Sequence, residues 1–440
     1  MKRNIALLFA TFFLATGTGV QAQGNPEAWT LRDCINYALE HNIQVKKSRV
    51  NLLSGGEDTQ QARARLFPSL SASISQNVAL YPSPDAASGS SYNGNYGLNA
   101  SWTLFDAGRR ANAVKQQEIQ DEINSLGIEQ SENDIQLSLV QAYMQALYAY
   151  EAVHISENTA EVSKAQLDRA AGLLAAGAIS RVDYAQLESQ YSTNKYQLVV
   201  SQKNLDNYKL QLKQLLELDM ATDMQIAVPG LEDSEVLQSL PDKASVYAAT
   251  LGAMPEVKSG ELGINMAKLE IERARAGYYP SLALTAGAGT THASGMGLEL
   301  GSQVWNRLNG SAGLTLSIPI YSNRDNKTAV NKAKHSVVTQ QLNLQGTQKA
   351  LLRTVEGVYL DAASSQNQYQ AAGERLKYVS ESYRLTEEQF FLGMKNTLEL
   401  LTEKNNLLNA QQETLQSKYM AVMSIQLLNI YQKKPISITF

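Results

Sequence analysis

The ten prolines of this chain avoid residues 85–228 and 320–434 altogether. Proline removes a backbone donor and clashes with the preceding turn, so its exclusion leaves room for very long helices. Residues 107–172 are mostly Ala, Gln, Glu, Leu, Ser and Asn; at 1.5 Å per residue such a helix reaches about 100 Å, far beyond a globular domain. From Tyr184 the positions Leu187, Tyr191, Asn194, Leu198, Ser201, Leu205, Tyr208, Leu212 and Leu215 step by three and four, a coiled-coil seam. A second seam is expected at Leu398, Leu401, Asn405, Leu408, Gln412, Leu415, Tyr419 and Val422.

The chain repeats itself. Ala62-Arg63-Ala64-Arg65-Leu66-Phe67-Pro68-Ser69-Leu70 returns as Ala274-Arg275-Ala276-Gly277-Tyr278-Tyr279-Pro280-Ser281-Leu282. Leu98 to Phe105 matches Leu314 to Tyr321, and Gly177 to Asp183 matches Gly393 to Glu399. Self-similarity over half the length marks a tandem duplication. The expected organisation is a signal peptide at 1–22, repeats at 23–220 and 243–436, a connector at 221–242 and a tail at 437–440. The leader rests on Lys2 and Arg3, the apolar run Ile5 to Leu14, and Val20-Gln21-Ala22 before the cut.

Each repeat contains two stretches that abandon the helical period for strict alternation. Leu70, Ala72, Ile74, Val78 and Leu80 oppose Ser69, Ser71, Ser73, Ser75 and Asn77; Tyr92, Tyr96, Leu98, Ala100, Trp102 and Leu104 oppose Asn93, Asn95, Asn99, Ser101 and Thr103. The second repeat does the same, and period two means strand. Strands are expected at about 68–80, 92–105, 281–290 and 310–321, with external loops at Pro82 to Ser91 and Thr290 to Gly310. Their length suits membrane strands, and an aromatic girdle would comprise Phe67, Trp102, Phe105, Tyr279 and Tyr321, with Tyr81 and Tyr92 at the opposite end. Four strands do not close a barrel, and an open edge in lipid leaves backbone groups unsatisfied, so closure demands several chains. A trimer supplies twelve strands around an uncharged Ser, Thr, Asn and Gly lumen.

Other chemistries are excluded by what is missing. No apolar run of 18 residues follows the leader, so no transmembrane helix is expected. A net charge of -4 gives no case for nucleic acid. The single cysteine, Cys34, lies in a helical pattern and reads as a buried thiol; the four scattered histidines offer no metal spacing. Neither a phosphate-binding loop, a nucleophile elbow nor a zinc-protease motif is present, so no enzyme and no cofactor is expected, and transport would draw its energy from a partner.

The order of these features resembles the TolC family of outer-membrane efflux proteins. The similarity rests on the serine-alternating strands after Ala-Arg-Ala-x-x-Phe-Pro-Ser-Leu, on Ser101-Trp102-Thr103-Leu104-Phe105-Asp106-Ala107-Gly108-Arg109-Arg110, on Leu316-Ser317-Ile318-Pro319-Ile320-Tyr321, and on the paired Gly177 and Gly393 turns. It covers about residues 27 to 435. The resemblance implies a mainly α protein with a transmembrane β-barrel portion: a homotrimer whose long antiparallel helices form a periplasmic α-barrel beneath a 12-stranded barrel in outer-membrane lipid. It implies an exit channel for tripartite efflux or type I secretion, docked on a periplasmic adaptor and served by an inner-membrane RND or ABC pump. Gly177, Ala178, Ile179, Ser180 and Gly393, Met394, Lys395, Asn396 would be the adaptor-contact tips. Asp183 and Lys395 take the family's latch positions and Glu399 its first acidic ring. Phe390 stands where some members carry a hydrogen-bonding tyrosine, and Thr402 where a second acidic ring is expected. A general diffusion porin, or a soluble exported coiled-coil protein, are the competing readings; the first lacks a need for the helices, the second for the alternating spans.

Overall fold

A computed structural model describes residues 28–80, 90–294 and 298–436. The leader, the tail, Tyr81 and most of the loop Pro82 to Ser91 lie outside the described residues. The first half runs α1 (Leu31–His41), α2 (Ile43–Ala64), β1 (Ser69–Leu80), β2 (Ser90–Phe105), α3 (Arg109–Ala175) and α4 (Arg181–Leu216). After the short α5 (Asp233–Val236) the order recurs: α6 (Lys243–Ala253), α7 (Pro255–Arg275), β3 (Ser281–Ala293), α8 (Leu300–Asn306), β4 (Asn309–Ser317), α9 (Asp325–Phe391) and α10 (Thr397–Tyr431). Helices α3 and α9 are each 67 residues, about 100 Å long at 1.5 Å per residue. No helix among the described residues is long and apolar enough to cross a membrane.

The four strands form one antiparallel sheet in the order β1-β2-β3-β4. Directly opposed residues share a face, and the register Leu70↔Ala100, Ala72↔Leu98, Ala100↔Ala286, Trp102↔Leu284 and Leu284↔Leu314 gathers the apolar positions on one side. Ser69↔Ser101, Asn99↔Gly287 and Gly287↔Ser311 build the polar side. Large side chains of the apolar side stay uncovered: Leu70, Ile74, Val78, Leu98, Leu314 and Leu316 are all exposed. A bulge between Thr103 and Phe105 breaks the expected alternation, so Phe105, not Leu104, pairs with Leu282. Bulges gather at barrel rims, where an extra residue bends the strand.

Two strand limits differ from expectation. β4 stops at Ser317, four residues short, because Pro319 has no N–H to give the ladder. β3 runs on to Ala293, and the expected loop from Thr290 to Gly310 contains α8.

Strand passes to helix through left-handed backbone at Ala107 and Gly108, and again at Asn323 and Arg324. Arg110 holds the first junction, donating to Asp106 Oδ2 at 2.8 Å, to the Arg65 carbonyl at 3.0 Å and to the Thr103 carbonyl. The Trp102 indole donates to the Leu66 carbonyl at 2.9 Å, tying β2 to the end of α2.

The main core lies at mid-helix, where Trp29, Leu31, Leu139, Tyr143, Leu147, Leu212 and Leu216 pack with Leu415, Tyr419 and Val422. Cys34 belongs to it; burial pushes its thiol up to about 12, so it stays an inert small hydrophobe, as the sequence implied. The single proton of the Tyr143 hydroxyl is shared between the carbonyls of Trp29 (3.0 Å) and Ala227 (2.6 Å), bracing the Trp29–Ile226 bridge that straps the connector to the helices. Tyr143→Phe is expected to cost about 1 kcal/mol, read as a lower Tm, because the half-buried Ala227 carbonyl then loses its donor while that of Trp29 keeps the Ala227 N–H.

The first seam is buried or half-buried at every expected position, with Leu187, Asn194, Ser201, Leu205 and Leu212 fully inside. The second is corrected. From Leu415 onward it holds, but nearer the turn the inward residues are Thr397, Leu400, Lys404 and Ala410, whereas Leu398, Asn405 and Gln412 are exposed. α10 packs on both α9 and α3, so its inward stripe follows the groove between two helices and not a single partner.

Candidate functional site at the hairpin turns

The α3–α4 and α9–α10 turns are built alike. The Gly177 N–H donates to the Leu174 carbonyl at 3.0 Å and the Ala178 N–H to that of Leu173 at 2.8 Å; Gly393 and Met394 repeat this with Phe390 (3.0 Å) and Gln389 (2.9 Å). This double bond closes a helix end only when the pivot residue is left-handed, and Gly177 and Gly393 have φ of +73° and +72°. The next helix then starts on a capping box. The Asp183 N–H donates to Ser180 Oγ at 3.1 Å, and Ser180 Oγ donates to Asp183 Oδ2 at 2.6 Å. In the other turn the Glu399 N–H donates to Asn396 Oδ1 at 3.0 Å and the Asn396 N–H to Glu399 Oε2 at 3.0 Å.

Asp183 and Glu399 therefore have a local task as well as the one implied by resemblance. Within one protomer Asp183 does not meet Lys395. Its Oδ1 accepts from Thr397 Oγ1 at 2.7 Å, which joins the start of α4 to the start of α10. Hydrogen bonds from Ser180 and then Thr397 hold the Asp183 carboxyl below its usual range. Lys395 Nζ lies 2.7 Å from Glu399 Oε1 and, with the Asn396 N–H, lowers that carboxyl too. The Lys395–Glu399 pair is solvent-facing, so its attraction is largely screened.

Ile179 is half-buried beneath the turns, where Ala170, Leu187, Tyr383, Phe390 and Leu400 form a small core. Phe390 is packed inside it, and the Arg169 guanidinium stands 3.6 Å over the neighbouring Phe391 ring. Thr402 is exposed and spends its hydroxyl on the Leu398 carbonyl at 2.8 Å. Facing solvent at the turns are Val182, Leu392, Met394 and Leu398, all at least two-thirds exposed.

One or two helical turns further in lies a cluster that the sequence did not reveal. Lys404 of α10 is 3 % exposed. Its ammonium donates to Ser163 Oγ (2.6 Å) and Gln166 Oε1 (2.9 Å) of α3. Asn194 of α4 meets Ser163 Oγ at 2.5 Å, and Gln166 Nε2 donates to Tyr383 OH (2.6 Å) and to Glu387 of α9. Tyr383 donates to Glu387 Oε1 at 3.0 Å. All four long helices thus meet at one buried polar knot. Desolvation lowers Lys404 to about 8, outweighing the pull of the Glu387 charge. A lysine beside a seam looks like a solvated flank; only the displaced stripe of α10 would have marked it.

At the far end, Phe67, Trp102, Phe105, Tyr279 and Tyr321 sit at the helix-proximal edge of the sheet and Tyr92 at the opposite edge. No cluster of metal ligands occurs among the described residues.

A sheet with an uncovered apolar face, mounted on paired helices about 100 Å long, defines an outer-membrane channel with a periplasmic helical extension. A family model described as outer membrane efflux protein matches residues 34–217 and 246–429. The chain belongs to the outer membrane efflux protein family. It is 22 % identical over 400 residues to outer membrane protein TolC of Escherichia coli strain K12, covering 89 % of this chain and 80 % of that one. With protein CyaE of Bordetella pertussis it shares 24 % identity over 444 residues, covering 93 % and 90 %. The solved channel CusC superposes with a TM-score of 0.78 at 18 % identity, covering 92 % of both chains.

Proposed function

We propose that three copies of this chain close a twelve-stranded barrel in outer-membrane lipid, and that the joined helices form the exit duct of a tripartite efflux or type I secretion machine. The observation that carries this reading is the sheet itself: both β1 and β4 are edges with unpaired backbone, and the face beside them is apolar. Lipid offers no hydrogen bonds, so neighbouring chains must supply them. The exposed residues Leu398, Asn405 and Gln412 of α10, turned away from the protomer's own inward groove, lie on the surface a neighbouring helix would cover. The aromatic residues at the two sheet edges serve as the girdle.

The hairpin turns form the periplasmic tip. Gly177 to Ser180 and Gly393 to Asn396 meet an adaptor through the exposed Leu392 and Met394, and a pump in the inner membrane supplies the energy. The gate opens as the second hairpin swings away from the first. Its restraints are the Thr397–Asp183 bond, the Lys395 and Glu399 charges and the packing around Phe390; the Lys404 knot sits in the joint that must part.

A photocrosslinking amino acid at Met394 in the native host is expected to capture a periplasmic adaptor, with three copies of the channel in the crosslinked particle by native mass spectrometry. Channel trimers with no adaptor attached would favour a diffusion porin instead.

A further inference from the structure

The segment between β3 and β4 does not extend away from the sheet. α8 folds back on β3: Thr290 Oγ1 donates to the Val304 carbonyl, and the Ala293 N–H to Gln303 Oε1 at 2.9 Å. Gln303 Nε2 closes on the Leu298 carbonyl at 2.8 Å. The register decides which side of the sheet is covered. Thr290 opposes Tyr96 and His292 opposes Gly94, positions that continue the Leu98, Ala100 and Trp102 side. α8 therefore lies on the apolar outer face, not over the mouth of the lumen. Thr290 and His292 are buried beneath it and its own Gln303 is buried against the sheet, with the Tyr92 and Tyr96 rings 5.2 and 5.7 Å from the imidazole. Gly94 makes the space: a Cβ there would fall 2.1 Å from the His292 ring.

This segment exposes large apolar side chains beside the polar Glu299, Ser302 and Asn306. Its glutamine points inward, while Leu298, Leu300, Trp305 and Leu308 are all more than half exposed, Trp305 by 77 %. Its height is set by the strand. Leu282, opposite Phe105 at the periplasmic edge, and His292 are ten residues apart on β3; that is about 33 Å along the strand and about 25 Å along the membrane normal at the usual tilt, the height of a barrel's apolar band. The segment sits at the outer boundary of that band, where tryptophan is favoured.

We propose that residues 298–308 are an interfacial collar, seated on the outer wall of the barrel with Leu298, Leu300, Trp305 and Leu308 immersed among outer-leaflet acyl chains. The collar fixes the depth of the barrel and shields the polar patch around His292 from lipid. It rests on the reading of the apolar face as lipid-facing, and the occupant follows from continuity with that face.

The test uses the full-length protein in liposomes, with single nitroxide labels at Trp305→Cys, Leu314→Cys and Thr315→Cys; buried Cys34 remains unlabelled. Collisions with oxygen and with a water-soluble nickel chelate are measured by power saturation. Trp305 and Leu314 are both expected to favour oxygen severalfold, and Thr315, on the polar face, the chelate. Oxygen preference at Leu314 with chelate preference at Trp305 would overturn the collar and leave the barrel. Inaccessibility of Trp305 to both reagents would place it against a neighbouring copy and also overturn the proposal. Chelate preference at Leu314 would sink the membrane reading itself.

Discussion

Lys404→Met is expected to raise Tm at neutral pH and to make the reconstituted channel harder to open. The intuitive expectation is the opposite, since the substitution removes bonds to Ser163 and Gln166. The magnitudes decide. Lys404 falls from 10.5 to about 8, so near neutral pH its charged form is penalised in the buried joint by about 3 kcal/mol relative to water. Two hydrogen bonds to a charged group return part of it; a methionine of similar length fills the space without the penalty, and this gain exceeds the cost of the one acceptor it leaves unpaired, Gln166 Oε1. The sign of the pH effect follows. The unfolded or parted state binds the proton up to its ordinary pKa and the packed state releases it from about 8, so packing gains stability as pH rises from 8 towards 10.5. Ser163, Gln166 and Asn194 do not titrate; Tyr383 and Glu387 are common to both proteins. The wild-type-minus-variant difference in Tm across that window thus isolates Lys404, and a flat difference would refute the argument. Lys404→Ala, which shares the unpaired Gln166 carbonyl and adds a cavity that methionine fills, should be destabilised at every pH.

Thr397→Val is expected to do the reverse, raising closed-state conductance with little change in Tm. Thr397 is 1 % exposed, its isosteric replacement keeps the packing, and both capping boxes survive because neither uses this side chain. What is lost is the 2.7 Å bond to Asp183. A bond of this kind, partly open to water, contributes about 1 kcal/mol. If three protomers open together the losses add, shifting the open-to-closed ratio about a hundredfold. Asp183→Ala should raise conductance as well but also lower Tm, since it removes the Ser180 cap. Equal Tm losses in the two variants, or unchanged conductance in the valine variant, would mean that this bond restrains nothing. The same bond predicts acid opening: the Asp183 carboxyl is held low, so its contribution is present above the ordinary carboxylate range and fades as pH falls through the folded value.

Much of the architecture could be read from residues alone because it depends on period. Alternation from Ser69 to Leu80 permits only a two-faced strand, and 67 residues without proline permit α3 to run its full length. The turns were legible for a related reason: Gly177 and Gly393 occupy left-handed positions that other residues reach at a cost, and Ser180-x-x-Asp183 is a cap signature. These are local constraints, and local sequence carries them.

The remainder depended on what each surface meets. Three-and-four spacing on α10 suits a stripe through Leu401 and Asn405 as well as one through Leu400 and Lys404; only the groove between α9 and α3 selects the second. The bulge that turns Phe105 to the apolar face, and the return of α8 onto β3, likewise follow from pairing between segments far apart in the chain. Sequence by itself determined the long helices, the two faces of the strands, the turns and the duplication, since each is a property of neighbouring residues. Only the tertiary structure decided that a lysine lies inside, that Asp183 reaches Thr397 and that a polar loop turns its leucines outward, because burial is a property of the partner and not of the residue.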